Sequence, residues 1–245
     1  MNRIDASENP RRRQLIEMLA AGFALAGLPL GSALAQSVFD SRPAKLPAGQ
    51  SIYRIAGSAS VTGAAANLQT RVRPGDTIET GKDSEIVFVV GDHAMILRNE
   101  TRLVIEGEKT GAASLLLAAM RLVTGKLLSV SRNARIRVTT PTATIGIRGT
   151  GWYAEADPEQ TYFCTCYGTT DIAANSDPES KETVTAKHHD RPLYILGKAA
   201  AGKSIRSAPF INHTDQELML IETLVGRTPP FVFPKDAYTG PRREY

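Results

Sequence analysis

Two cysteines separated by a single residue are the part of this sequence most able to do chemistry. Cys164 and Cys166 lie in an aromatic and apolar run, residues 162–167, which favours a β-strand. Side chains two apart on a strand point to the same face, with Cα atoms ~6.6 Å apart. This separation is close to the ~6.8 Å limit for a disulfide, so a bridge between neighbours would be strained. Two thiolates on one face also suit a soft metal such as zinc or copper.

A tetrahedral metal site would need one or two nitrogen ligands besides the two thiolates. Three of the four histidines, His188, His189 and His213, lie downstream in a segment that must fold back onto this strand. Three states of the cysteine pair stay open. They are a metal or redox centre completed by these histidines, a strained disulfide, and buried free thiols with the histidines in solvated loops or beside a helix cap.

Strands are the elements that must position these residues. From residue 52 to residue 173, short apolar runs alternate with turn dipeptides such as Pro74–Gly75, the pattern of an all-β domain. Residues 85–90 and 94–97 predict a hairpin, because turn residues separate two β-branched runs. Residues 115–120 have helical propensity, but their short length among strands favours another strand.

The ends of the mature chain are predicted to lie outside this domain. Residues 36–51 contain prolines and glycine without periodicity, and we expect a linker there. Residues 174–245 are predicted to form a small C-terminal extension with one helix. A polar loop is expected at residues 175–180, and short strands at 182–186 and 193–196.

The helix of this extension is predicted over residues 215–225. Thr214 and Glu217 have the spacing of a capping box, and Gly226 occupies the position of a left-handed C-terminal cap. Ile221 shares one face with several other apolar residues. We expect this face to dock on the β-domain, since a single amphipathic helix must bury its apolar side.

Residues 1–35 are predicted to be a signal peptide rather than part of the fold. Three consecutive arginines precede an apolar run, and Ala35 and Gln36 flank the expected cleavage site. The second and third arginines resemble a twin-arginine export signal, with the general secretory route as the alternative. We therefore expect an exported, periplasmic protein that keeps no transmembrane anchor after cleavage.

Composition narrows the classes of function. The 29 basic and 25 acidic residues give a net charge of +4, which is far from the basic stripe of a nucleic-acid-binding protein. Two cysteines exclude a disulfide-dense scaffold. The sequence has no nucleophile elbow, no HExxH pair and no phosphate-binding loop, so an enzyme is the least favoured class.

Several motifs follow one another in an order typical of one family. Val-Arg-Pro-Gly-Asp-Thr at residues 72–77 precedes a strand-like run at 101–105, and residues 138–150 form the most specific stretch. The signature residues of that stretch are Pro141, Arg148, Gly149 and Thr150. Together these motifs resemble a FecR-type domain, the periplasmic module of iron-citrate sensors, over residues 57–172.

The resemblance implies a β-rich module that is solenoid-like or sandwich-like. Within its signature, Arg148 and the neighbouring backbone amides could bind an anion. The favoured interpretation is a turn between two strands, in which Gly149 adopts a conformation that other residues resist.

The best-known members of this family are anti-sigma regulators with a cytoplasmic segment and a spanning helix. We expect neither here, because the arginines of the signal begin at residue 11 and the signal is cleaved. The favoured function is a binding, scaffolding or sensory module of the cell envelope, with an envelope protein or a small ligand as its partner. A metal-binding or redox protein centred on the cysteines is the alternative, and an envelope enzyme of unknown reaction is the third.

The export prediction can be tested at the cleavage site and at the arginine pair. Protein recovered from cells should begin at Gln36, and replacing Arg12 and Arg13 together with lysine should block export by the twin-arginine route. N-terminal sequencing and fractionation of the cells measure both. Unchanged export of the double variant would indicate the general secretory pathway instead.

Overall fold

β-Branched and aromatic residues build more than half of the described residues into strands. The computed structural model describes residues 44–110 and 114–231, so the predicted signal peptide and the first part of the linker lie outside the described residues. The described elements are β1 Ile52–Ala56, β2 Ala59–Val61, β3 Ala64–Ala65, β4 Thr77–Thr80, β5 Glu85–Val90, β6 His93–Leu97, β7 Arg102–Thr110, β8 Ser114–Thr139, β9 Ala143–Ala156, β10 Gln160–Ala174, β11 Asp177–Ala186, β12 Leu193–Leu196, β13 Ile205–Ser207 and the helix α1, Asp215–Leu224.

The strands form one sheet, and every pairing between them is antiparallel. Its main path runs β13-β12-β10-β9-β8-β7-β4-β2-β3, while β11 pairs with β10, β6 with β8, β5 with β6, and β1 with β5. The 26-residue β8 serves several partners because different stretches of its length pair with β7, β6 and β9. The predicted all-β class with one helix near the C-terminus is confirmed, as are the hairpin of β5 and β6 and the strand at residues 115–120.

The sheet is apolar on both faces, as the alternation along β9 and β10 makes clear. Trp152 and Phe163 lie in one buried cluster and stack with their ring centroids 5.7 Å apart. Tyr153 and Cys164, the next residue of each strand, lie in a second cluster on the other side. The first cluster gathers residues from β1 to β12, whereas the second lies between the sheet and α1.

The capping box predicted for the helix is present. The Thr214 side chain accepts a hydrogen bond from the Glu217 backbone N–H, and the Glu217 carboxylate accepts one from the Thr214 N–H at 3.0 Å. α1 ends at Leu224, one residue before the predicted end, and Gly226 follows with φ +74°. No helix among the described residues has the length and apolarity that crossing a membrane requires.

The apolar face of α1 docks on the sheet, as the sequence predicted. Leu218, Ile221 and Leu224 are fully or almost fully buried against residues of β5, β6, β8, β9 and β10. A buried ion pair also joins α1 to the β-domain, since the Arg98 guanidinium lies 3.1 Å from the Glu217 carboxylate. The first described residues also take part, since the Leu46 N–H donates to the carbonyl oxygen of Leu224 at 2.9 Å.

The polar loop expected at residues 175–180 is a strand over most of its length. β11 begins at Asp177, which pairs with Ala174, so only Asn175 and Ser176 turn the chain. The polar composition of these residues predicted a loop, but their polar groups form hydrogen bonds within the structure. The Asp177 carboxylate accepts hydrogen bonds from the Ser180 hydroxyl at 2.6 Å and from the Gly202 N–H at 2.9 Å.

The turn expected at residues 148–150 lies instead in the interior of β9. Gly149 has φ +63°, the left-handed conformation anticipated for it, but the strand continues through it from residue 143 to 156. The irregularity is matched on β10, where Gly168 has φ +90° and no partner on β9. Arg148 pairs with the Asp171 carboxylate, so its guanidinium already has an anionic neighbour.

Placing a charge on the inner face of α1 should destabilise the protein. Ile221→Asp buries a carboxylate without a partner, and we expect a loss of several kcal/mol, on the order of 3–5, in the free energy of unfolding. Met219→Asp on the same helix is the matched control, because Met219 is 38% exposed. Denaturant titration should give a loss of less than about 1 kcal/mol for the control. Equal losses in the two variants would contradict the docking of this face.

A buried histidine predicts how stability depends on pH. Burial lowers the pKa of His93 to about 4, with Arg227 adding to the effect, and its Nδ1 lies 3.0 Å from the Ser131 hydroxyl. Because the unfolded chain binds this proton near pH 6.5 and the folded chain does not, stability should fall as the pH drops from 6.5 to 4. The His93→Gln variant lacks this titrating group. Between pH 6.5 and 4, denaturant titration should therefore show that the variant loses less stability than the parent, by up to about 3 kcal/mol. Parallel pH profiles for parent and variant would exclude this origin.

Candidate metal centre

Alternation along β10 points both cysteine thiols toward α1, and an irregularity at Cys166 places Tyr167 on the same side. The register with β9 is regular up to Thr165 and resumes at Tyr167, so Cys166 is an extra residue in the strand. A bulge of this kind bends the strand and re-aims the side chains beside it. Cys164, Cys166 and Tyr167 therefore all lie in the cluster under α1. The prediction that the two thiols share a face is confirmed, and both are buried free cysteines.

The turn that follows β11 brings His189 to the thiols. The Asp190 carboxylate accepts a hydrogen bond from the Lys187 N–H at 2.6 Å, and the His189 N–H donates to the carbonyl oxygen of Cys166 at 2.9 Å. His189 has φ +52°, a conformation that residues other than glycine rarely adopt. The bond to Cys166 fixes this backbone directly over the bulge.

His213 reaches the same point from the segment before α1. Its ring stacks on Tyr153 with centroids 4.5 Å apart and is fully buried. The ring Nδ1 lies 2.7 Å from the carbonyl oxygen of Ile211. Since a carbonyl only accepts, Nδ1 carries a proton, and the unprotonated Nε2 presents its lone pair to the cysteines. The preceding residue, Asn212, has φ +57° and donates to Glu155 at 2.7 Å, which fixes this turn.

Four possible ligand atoms meet between the sheet and α1. The Sγ atoms of Cys164 and Cys166, one nitrogen of His189 and one of His213 all lie within 4.8 Å of one another. The Sγ of Cys164 is 3.5 Å from Nδ1 of His189, which is 3.2 Å from Nε2 of His213. A tetrahedral zinc ion with bonds of ~2.3 Å to sulfur and ~2.0–2.1 Å to nitrogen would separate these pairs by ~3.5 and ~3.3 Å. Both observed distances match that geometry.

A carboxylate outside this group of four orients one of the rings. Nε2 of His189 lies 2.9 Å from the Asp215 carboxylate, so it carries a proton and leaves Nδ1 to face the thiols. Metal-binding histidines in proteins almost always donate their second N–H to a carboxylate or a backbone carbonyl. His189 and His213 make one contact of each kind.

Electrostatics prepare one thiolate before any metal binds. Burial opposes the ionisation of Cys164, but hydrogen bonds from Cys166 and His189 hold its pKa well below the usual value. Burial and the neighbouring Cys164 thiolate raise the pKa of Cys166 well above its usual value. Burial disfavours the charge on His189, yet Asp215 and the Cys164 thiolate raise its pKa to about 9. The metal-free centre is thus a thiolate–imidazolium pair, from which a metal would displace protons.

The structure brings together four of the five residues that the sequence suggested as ligands. Cys164, Cys166, His189 and His213 form the group, whereas His188 lies outside it. The His188 ring is partly exposed, and its Nε2 lies 2.9 Å from both oxygens of Asp215. The His188 and His189 rings are neighbours, with centroids 4.7 Å apart, and both contact Asp215, but only the His189 ring also contacts a thiol.

Asp215 is the residue that sequence analysis missed. It is the first residue of α1, where an acidic side chain is explained by the helix dipole and carries no metal signal. Its role depends on the turn at residues 187–190 folding back over β10, a contact between residues 26 apart in the chain. The one hint in the sequence is that Asp215 lies only two residues after His213, a candidate ligand.

Comparison with known families agrees with the motifs. Residues 76–169 match the family model described as FecR protein, so the chain contains a FecR-type domain over this range. The resemblance drawn from the signature around Arg148 is thereby confirmed. The matched range contains both cysteines of the centre and ends before His189, His213 and Asp215.

Solved structures give a more distant likeness. Two crystal structures of a candidate anti-sigma factor from Parabacteroides distasonis are 14% identical in sequence, with TM-scores of 0.42 and 0.43. The matches cover 60% of this chain and 73% and 74% of the other chains. No curated protein matches the chain.

Proposed function

We propose that this protein is a metal-binding module of the cell envelope, built on a FecR-type domain, and that the metal is zinc. The observation that carries the proposal is the convergence of two thiols and two imidazoles within 4.8 Å, with both rings oriented by outer partners. Cys₂His₂ sets with this spacing suit tetrahedral Zn²⁺, and closed four-ligand sites of this kind are structural or regulatory rather than catalytic.

Charge balance favours zinc over copper. The cysteines and His213 are fully buried, and an uncompensated charge in such a place is costly. Zn²⁺ with two thiolates and two neutral imidazoles has no net charge. Cu⁺ with the same ligands would leave one negative charge next to the Asp215 carboxylate. The buried environment therefore supports the divalent ion.

The envelope setting of this module is part of the proposal. The predicted signal peptide supports export, and the FecR-type domain supports a sensory or binding role in the periplasm. Export by the twin-arginine route would let the chain take up its metal before translocation, because that route carries folded proteins. In this proposal the module is a sensor of the cell envelope, and the ligand that it senses is the metal ion.

One arrangement within the same site favours a second candidate function. Cys164, His189 and Asp215 lie in a row, with 3.5 Å from Sγ to Nδ1 and 2.9 Å from Nε2 to the carboxylate. A thiolate, a histidine and an orienting carboxylate are the parts of a nucleophilic cysteine enzyme. The Cys164 side chain is fully buried, however, and the second imidazole of His213 occupies the space in front of it. These two features weigh against substrate access.

Elemental analysis of natively exported protein tests the metal proposal. We expect about one zinc per chain, and no thiol that titrates until the metal is removed. Zinc-free protein whose Cys164 reacts selectively with iodoacetamide in the folded state would favour the nucleophilic enzyme. Zinc-free protein without titratable thiols would indicate a disulfide and end the metal proposal.

Variants should resolve the ligand set. Cys164→Ser and His213→Ala each remove a ligand and should abolish stoichiometric zinc binding. His188→Ala is the matched control in the same turn and should keep one zinc per chain. Asp215→Asn keeps all four ligands but loses the carboxylate, and its zinc affinity should fall about 10–100-fold. Loss of zinc in His188→Ala equal to that in His213→Ala would contradict the four-ligand set.

A further inference from the structure

The four ligand atoms come from three separate stretches of the chain. Cys164 and Cys166 belong to β10, His189 to the turn after β11, and His213 to the residues just before α1. A bound metal would cross-link these stretches and close two loops of about 25 residues each. Of the three, only the stretch with His213 continues directly into a helix that lies across a sheet face.

The N-terminal end of α1 is fastened to this site by several contacts. His213 directly precedes the N-cap residue Thr214. Asp215 is the first residue of the helix and accepts a hydrogen bond from the Nε2–H group of His189. Two residues further on, the Glu217 carboxylate both closes the capping box and pairs with Arg98. A displacement of this helix end would therefore separate His213 from the cysteines.

The other end of α1, about 15 Å away by its ten residues, holds the beginning of the described chain. The Leu46 N–H donates to the carbonyl oxygen of Leu224 at 2.9 Å, and the Leu46 side chain packs in the cluster under the helix. A Cβ atom on Gly226 would lie 3.0 Å from the side chain of Lys45. Lys45 and Leu46 thus lie against the C-terminal end of the helix whose other end adjoins the candidate site.

We propose that zinc acts as a latch that controls the docking of α1 and, through Leu224, of the segment around Leu46. This inference rests on the proposed function and concerns the regulation of the same site. With zinc bound, His213 is tied to β10 and the helix stays on the sheet. With zinc removed, the helix is still held by the Arg98–Glu217 pair, the hydrogen bonds of Asp215 and Glu222, and its apolar face.

Thermodynamic linkage makes the proposal quantitative. Opening the helix carries His213 away, so the open state lacks one of the four ligands. A ligand that binds only the closed state lowers the population of the open state by the factor 1 + [zinc]/Kd. At free zinc 100-fold above its Kd, opening should be about 100-fold rarer than in the metal-free protein.

Hydrogen–deuterium exchange of the full mature chain tests this, with and without zinc in a metal buffer. The amides of α1 and the Leu46 N–H should exchange about 100-fold more slowly at zinc 100-fold above Kd. Amides at the far ends of β9 and β10, such as Ile145 and Ile172, are the reference and should change by less than about threefold. Bound zinc is measured on the same samples by elemental analysis.

The outcomes separate this inference from the function on which it rests. Absence of bound zinc would overturn the proposed function. Bound zinc with unchanged exchange in α1 would overturn the latch alone. Equal slowing of α1 and the reference amides would also overturn it, because zinc would then stabilise the whole fold rather than one docking step.

Two variants provide matched controls. Thr214→Ala removes the cap without removing a ligand, so α1 should exchange faster than in the parent while zinc still slows it. His213→Ala should abolish the effect of zinc on α1. Persistence of the full zinc effect in His213→Ala would contradict the latch, since that variant has no ligand on the helix side.

Discussion

The constraint on which this structure depends is a sheet with two apolar faces. Trp152 and Tyr153 are neighbours in β9 and both are fully buried, so neither side of the strand can face water. The cluster on the first side is formed almost entirely by residues of the strands themselves. The second side is left to a single ten-residue helix and the segments beside it. Exposure of that side would leave a large apolar patch, which explains why α1 must dock.

Buried polar contacts, as well as the apolar face, hold α1 on the sheet. Glu217 pairs with Arg98, and the fully buried Glu222 accepts hydrogen bonds from Tyr167 and, at 2.7 Å, from Arg227. Buried ion pairs add little net stability, because desolvation offsets their attraction. They do penalise any shift that separates the partners. We infer that these pairs set the position of the helix, which is what a site with a ligand beside the helix cap demands.

Sequence patterns predicted what depends on neighbours in the chain. The period of two placed Cys164 and Cys166 on one face, and the capping box at Thr214 fixed the start of α1. Patterns failed where a distant partner decides. The bulge at Cys166 exists only in the register with β9, and the choice of His189 over His188 follows from a backbone bond to Cys166.

The candidate centre lies partly inside and partly outside the range that matches the FecR family model. The FecR match ends at residue 169, so it supplies two thiols on a strand but neither of the imidazoles. Two cysteines on one face cannot alone satisfy a tetrahedral ion. The remaining ligands come from the turn at His189 and the residues before α1, both beyond the matched range. The candidate centre therefore lies at the junction between the matched range and the extension, and docking of the extension is what brings its four ligand atoms together.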